Sequence, residues 1–234
     1  MLKDYKTTLK RVLKGNMIRV GLINPGVKNR HGWVGDVTLS GIKRDFQVAF
    51  LKSQGLQPEH RLLDLGCGTL RGGIPIIEYL NVEKYAGIDV RAEVLQEAMK
   101  ELAETGLAYK TPLLMHSNEV AVKLDGIKFD YIWAFSVLFH LSDSILRETI
   151  SLVAEHLNPV GTFYGNVNIG QWQEGDWQGF PVVTRPLNFY EREAAKCHLQ
   201  LKVIGSLESL GHVTGRSDQD EQIMLEMRHK QNDF

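Results

Sequence analysis

The chain has 234 residues, a formal net charge of -1, 43% hydrophobic and 24% charged residues, which is the balance of a globular protein able to bury one sizeable core; disorder of the whole chain is excluded. Near-neutral charge without a basic arm leaves no electrostatic footprint for nucleic acid. Two widely separated cysteines, Cys67 and Cys197, indicate neither a disulfide framework nor a zinc site.

Leu2, Leu9, Val12 and Leu13 share one helical face that Gly15 is placed to end, and a polar, glycine-spotted connector follows. The opening residues lack the apolar core of a signal peptide, and no stretch reaches the ~18 apolar residues of a membrane span, so a cytoplasmic location is expected. A second helix is predicted from about Ser40, with Ile42, Phe46, Ala49 and Phe50 at helical spacing and Gly55 as its stop. Residues 1–55 are therefore read as a helical cap or lid, and 56–234 as the main domain.

From residue 61 short apolar runs alternate with amphipathic stretches, the pattern of βαβ units. Strands are predicted at 61–65, 84–89, 111–115, 129–135 and 160–169. Helical faces between them come from Val94, Leu95, Ala98, Met99 and Leu102, and from Ile145, Leu146, Leu152, Val153 and Leu157, with Asn158-Pro159 ending the second. Residues 170–187 show no usable period and read as an ordered loop insertion. Asn188 with Glu191 suggests a capping box for a helix through about His198. Two last strands, near 200–207 and 221–228, are joined by a polar stretch that suits an antiparallel hairpin.

The most informative segment is Asp64-Leu65-Gly66-Cys67-Gly68-Thr69, where a strand runs into a glycine-rich turn and then a helix. Glycines there allow a sharp bend and close approach to a ligand. The next strand ends in Asp89, about 20 residues on, where an acidic side chain can accept bonds from ribose hydroxyls and can also cap the helix before Ala92. A dinucleotide loop has its third glycine three positions after the second, but that position is Arg71 here. Asp64, a carboxylate before the first glycine, suits a cationic ligand better than a pyrophosphate.

Asp64 to Thr69 resembles the first motif of the class I S-adenosylmethionine-dependent methyltransferases, and Gly87-Ile88-Asp89 resembles their second. One departure is that the family often has a third glycine where Leu70 stands. The resemblance implies a Rossmann-like α/β fold, a doubly wound, mostly parallel seven-stranded sheet with an antiparallel C-terminal hairpin. It implies S-adenosyl-L-methionine as cofactor, with Gly66, Cys67 and Gly68 along its methionyl part, Asp64 toward its amino group, and Asp89 with Val90 at its ribose. Asn118 would lie near the adenine, or serve as a helix cap, and Ala134 and Phe135 would lie beside the methionine.

His140 has the reference pKa of a general base, and packing beneath the next helix is its alternative role. Trp172, Trp177 and Phe180 follow the C-terminal end of the fifth strand, where open parallel sheets bind ligands, and either shape an acceptor pocket or form a satellite core. The amino-methyltransferase motif of enzymes acting on nucleic-acid bases is absent after the fourth strand, where Trp133-Ala134-Phe135-Ser136 stands. The expected reaction is therefore methyl transfer to an oxygen or nitrogen of a small metabolite. Alternatives are a silent cofactor- or partner-binding domain and an NAD-dependent oxidoreductase.

Overall fold

The computed structural model describes residues 30–117, 124–177 and 179–230. The first predicted helix and Asn118 lie outside them. Strands β1 (Leu62–Leu65), β2 (Tyr85–Asp89), β3 (Leu113–His116), β4 (Phe129–Ala134) and β5 (Leu157–Ile169) form a parallel sheet in the order β3-β2-β1-β4-β5. β1 and β2 are buried along their whole length, as expected for strands covered on both faces. The sheet continues antiparallel through β9 (Ile223–His229) to β8 (Leu199–Ser206), so the anticipated seven strands and closing hairpin form.

Side-chain alternation along the strands feeds two cores. Leu63, Leu65, Ile132 and Ala134 enter one, packed under α4 (Asp143–His156) and α5 (Leu187–Lys196). Leu62, Tyr131 and Trp133 enter the other, packed under α1 (Ser40–Ser53), α2 (Gly73–Tyr79) and α3 (Ala92–Glu104). Helices thus cover both faces of the sheet, the doubly wound arrangement. α1 is built into this core: the Phe50 ring lies 5.6 Å from Trp133 and 5.2 Å from Tyr164, and the Trp133 indole donates to Gln47 Oε1 at 2.9 Å.

Three local expectations change. Residues 170–187 are a hairpin rather than a loop: β6 (Gln173–Trp177) pairs with β7 (Phe180–Arg185), and β7 pairs with the last two residues of β5. Its backbone bonds are satisfied by strand pairing even though Gln173 to Asp176 are exposed and show no apolar alternation. Helix α4 ends at His156, just ahead of Asn158-Pro159, but β5 begins directly at Leu157 rather than at 160, and residues 158–161 bulge between the Phe129–Leu157 and Tyr131–Thr162 pairs, with the Asn158 side-chain amide donating to Asp130. The Asn188–Glu191 capping box is not made, because α5 starts at Leu187, directly after Pro186, and carries no side-chain cap bond.

Phe50→Ala is expected to cost about 3–5 kcal/mol of unfolding free energy, the range for truncating a buried aromatic. Urea unfolding checks it, and a loss confined to a fraction of this would mean that α1 is not part of the cooperative core.

Candidate functional site

The site is built at the C-terminal ends of the parallel strands, beginning with the turn after β1. Gly66, Gly68 and Leu70 all have positive φ, at 74°, 57° and 61°. Gly66 and Gly68 also have no room for a side chain: a Cβ at Gly66 would lie 2.5 Å from Val137 Cγ2, and one at Gly68 would lie 2.7 Å from Val34 Cγ1. Leu70 adopts the left-handed conformation of the glycine it replaces, and its side chain is fully buried in the core under α1 and α2. The departure from the motif therefore preserves the path of the backbone.

The end of β2 holds this turn. The Gly66 and Cys67 amides donate to the Ile88 carbonyl at 2.8 and 3.0 Å, and the Gly68 amide donates to Asp89 Oδ2 at 3.1 Å. Asp89 Oδ1 accepts from the Arg91 amide at 2.9 Å. Asp89 thus fixes the turn, as an acidic residue before a helix can, while its carboxylate still lines the cavity. α3 itself starts at Ala92 without a side-chain cap.

Asp64 is 4% exposed and accepts from the Tyr85 hydroxyl at 2.6 Å. Burial pushes its carboxyl up to about 7; the Tyr85 bond opposes that shift and nearby Asp89 adds to it. A buried carboxylate poised to ionise needs a positive partner, and that is what a cationic ligand supplies. Burial likewise raises the Cys67 thiol well above its ordinary value, so Cys67 is an inert wall.

These groups share one cavity of about 460 Å³. Asp64, Gly66, Cys67, Gly68, Asp89, Val90 and Phe135 all line it, and so do His140, Trp177 and Phe180. Two sequence-predicted residues are not brought there. Ala134 is fully buried in the core, and Trp172 is half exposed, packed edge-on against Phe189 beneath the Arg185 guanidinium. Lining residues that the sequence did not single out include Lys43, Arg71, Ser117 and Glu148. Ser117 stands directly after β3, and its hydroxyl is buried without a protein partner among the described residues.

His140 sits on a one-turn 3-10 helix, Leu138–His140, after β4. Its Nδ1 lies 2.9 Å from the Pro181 carbonyl, and its ring lies 5.5 Å from Trp177 and 6.2 Å from Phe180. A carbonyl only accepts, so Nδ1 carries the proton and Nε2 holds the lone pair in the neutral ring. Burial lowers the His140 pKa below its ordinary value, which keeps the ring neutral near pH 7. No group of residues that could hold a metal ion occurs among those described, and no described helix is long and apolar enough to cross a membrane.

Residues 63–163 match the family model described as a methyltransferase domain. Among solved structures, magnesium protoporphyrin IX methyltransferase from Synechocystis PCC 6803, with bound S-adenosylmethionine, superposes with a TM-score of 0.65 at 17% identity, over 92% of this chain and 96% of that one. The glycopeptide N-methyltransferase MtfA gives 0.62 at 17% identity, over 80% and 90% of the chains. An S-adenosylmethionine-dependent methyltransferase from Clostridium acetobutylicum ATCC 824 gives 0.61 at 16% identity, over 82% and 92%. At these identities the structural likeness is one of fold.

A raised carboxyl pKa has a consequence for stability. The folded chain favours protonated Asp64, so stability is fully expressed below the ordinary value of 3.8 and is lost as pH rises through about 7. Asp64→Asn keeps an acceptor for Tyr85 and removes the titration. Thermal melting should find the variant close to the parent below pH 3.8 and more stable than the parent above pH 7; equal melting at both ends would show that Asp64 ionises freely.

Proposed function

We propose that this chain, whose residues 63–163 match a methyltransferase-domain model, is a class I S-adenosylmethionine-dependent methyltransferase that methylates an oxygen or nitrogen of a small molecule held in the same cavity as the cofactor. The observation that carries this reading is a cavity of about 460 Å³ that Asp64 and Asp89 line together with His140, Trp177 and Phe180. Its size falls in the ~300–1,000 Å³ range of small-ligand pockets. Two proteins that share the fold are named as a glycopeptide N-methyltransferase and a magnesium protoporphyrin IX methyltransferase, which is in keeping with this reading.

The residues present fit the cofactor. Asp64 would meet its amino group, Gly66 and Gly68 would lie against its methionyl part, Asp89 with Val90 would take the ribose, and the Ser117 hydroxyl, unpartnered among the described residues, would face the adenine end. When bound, the cofactor supplies a methyl group activated by a sulfonium.

The chain's own contribution is alignment and proton control. Methyl transfer is an in-line displacement, in which fixing the reactants and excluding water supplies most of the acceleration. Phe135, Trp177 and Phe180 give the cavity apolar walls that keep the acceptor's approach dry. His140, with Nδ1 tied to Pro181, presents Nε2 as the base that takes the acceptor's proton as its nucleophilic atom commits.

Asp89→Ala is expected to weaken calorimetric binding of S-adenosylhomocysteine by about 1–3 kcal/mol, the worth of hydrogen bonds to a charged group; unchanged affinity would remove Asp89 from the ribose site. His140→Ala should slow turnover of a hydroxyl acceptor by roughly 100-fold or more. In the parent the acid limb of the rate profile should fall below the ordinary histidine value of 6.5, because burial lowers the His140 pKa. A variant with near-parental rate and the same limb would return His140 to a packing role.

A further inference from the structure

One wall of the cavity carries two cations that the reading above does not employ. Lys43, on α1, and Arg71, just beyond the glycine turn, are 6% and 8% exposed, and both line the cavity. Arg71 donates through Nη1 to the Val34 carbonyl at 3.2 Å, but its Nε is buried with no partner among the described residues. Lys43 has no carboxylate within ion-pair distance among the described residues. The acidic groups nearby are otherwise engaged: Asp36 and Asp218 hold Arg216 at the rim, and Asp220 accepts the Thr214 and Gly215 amides. Burial, then Arg71 and Arg216, pull the Lys43 ammonium down to about 8, and burial pulls Arg71 down to about 10.

Two desolvated cations on one wall, neither in ion-pair contact with a carboxylate among the described residues, are costly to the free protein and favourable to an anion that fills the gap. The cofactor brings one carboxylate together with an ammonium and a sulfonium, so its net charge is positive. Its cationic groups answer the buried Asp64 carboxylate, and its own single carboxylate meets one of the two wall cations and leaves the other. We propose that Lys43 and Arg71 form a carboxylate-binding subsite for the methyl acceptor, which is therefore an organic acid. This rests on the methyltransferase reading. The guanidinium suits a planar carboxylate through paired N–H donors, the ammonium adds a point charge, and Phe135, His140 and Trp177 along the same cavity receive the acid's apolar body.

Benzoate and benzamide, alike in shape and different in charge, probe the subsite in the full chain saturated with S-adenosylhomocysteine, by ligand-observed NMR. Benzoate is expected to bind the parent at least about tenfold more tightly than benzamide, in line with a hydrogen-bonded charge pair. Lys43→Met, which keeps the aliphatic stem, should erase that difference, and Lys43→Arg should restore it, with melting curves confirming that each variant folds. Equal binding of the two probes to the parent would overturn the proposal. So would a tenfold loss of S-adenosylhomocysteine affinity in Lys43→Met without a matching loss for methylthioadenosine, which lacks the methionyl carboxylate, because the subsite would then belong to the cofactor. Failure of the parent to bind S-adenosylhomocysteine at all would overturn the methyltransferase reading and the acceptor assignment with it, a result distinct from lost discrimination between the probes.

Discussion

Within five residues of leaving β1 the backbone passes through left-handed conformations at Gly66, Gly68 and Leu70, and most of the site depends on how that turn is held. Amides in such a turn have no helix or ladder to satisfy them. They find partners on the neighbouring strand: the Ile88 carbonyl takes two, and the Asp89 carboxylate takes a third. The end of β2 is thereby fixed against the end of β1, which brings Asp64 and Asp89 to one wall. The closeness of Val34 and Val137 to the two glycines draws the N-terminal segment and the turn after β4 over the same spot. A side chain at either glycine would push these covers apart and open the cavity to water.

The parallel core was legible because each buried strand is a near-continuous apolar run and each helix shows one apolar face, and burial on both sides of a sheet leaves little choice about either. The cofactor wall was legible for a related reason: glycines after a strand and a carboxylate at the end of the next are local signals of a backbone requirement. The β6–β7 hairpin was not. Gln173 to Asp176 are an exposed edge whose order comes from main-chain pairing, and main-chain pairing leaves no trace in composition. Its aromatic residues were read together, yet the hairpin sends Trp177 and Phe180 to the cavity and leaves Trp172 against Phe189. The capping box at Asn188 failed because Pro186 already sets the extended backbone that precedes a helix, so α5 starts two residues earlier than an Asn188 cap would place it.

Lys43 and Arg71 are the instructive omissions. A lysine three residues before a core phenylalanine on an amphipathic helix reads as a solvated flank, and an arginine in a glycine-rich turn reads as a surface residue. Their burial arises only when α1 lies across the turn, with Gln47, one helical turn after Lys43, bonded to Trp133 of β4. That contact joins the placement of the cations to the packing of the core. It also explains why a residue whose side chain ought to seek water is held inside.

The chain's formal charge of -1 conceals a strong internal separation of charge. Around the cavity, the buried carboxylates Asp64 and Asp89 stand at strand ends, where the sheet fixes them, and the buried cations Lys43 and Arg71 stand on α1 and the turn that α1 covers. Direct pairing between the two sets would neutralise both but would also fill the cavity. Because each set is anchored to a different packed element, the fold keeps them apart, and each bears its own desolvation cost. A ligand set carrying both signs lowers both costs together. Occupancy should therefore tighten the whole site, since Asp64, Lys43 and Arg71, which make no ion pair among the described residues, gain counter-charges from the molecules bound.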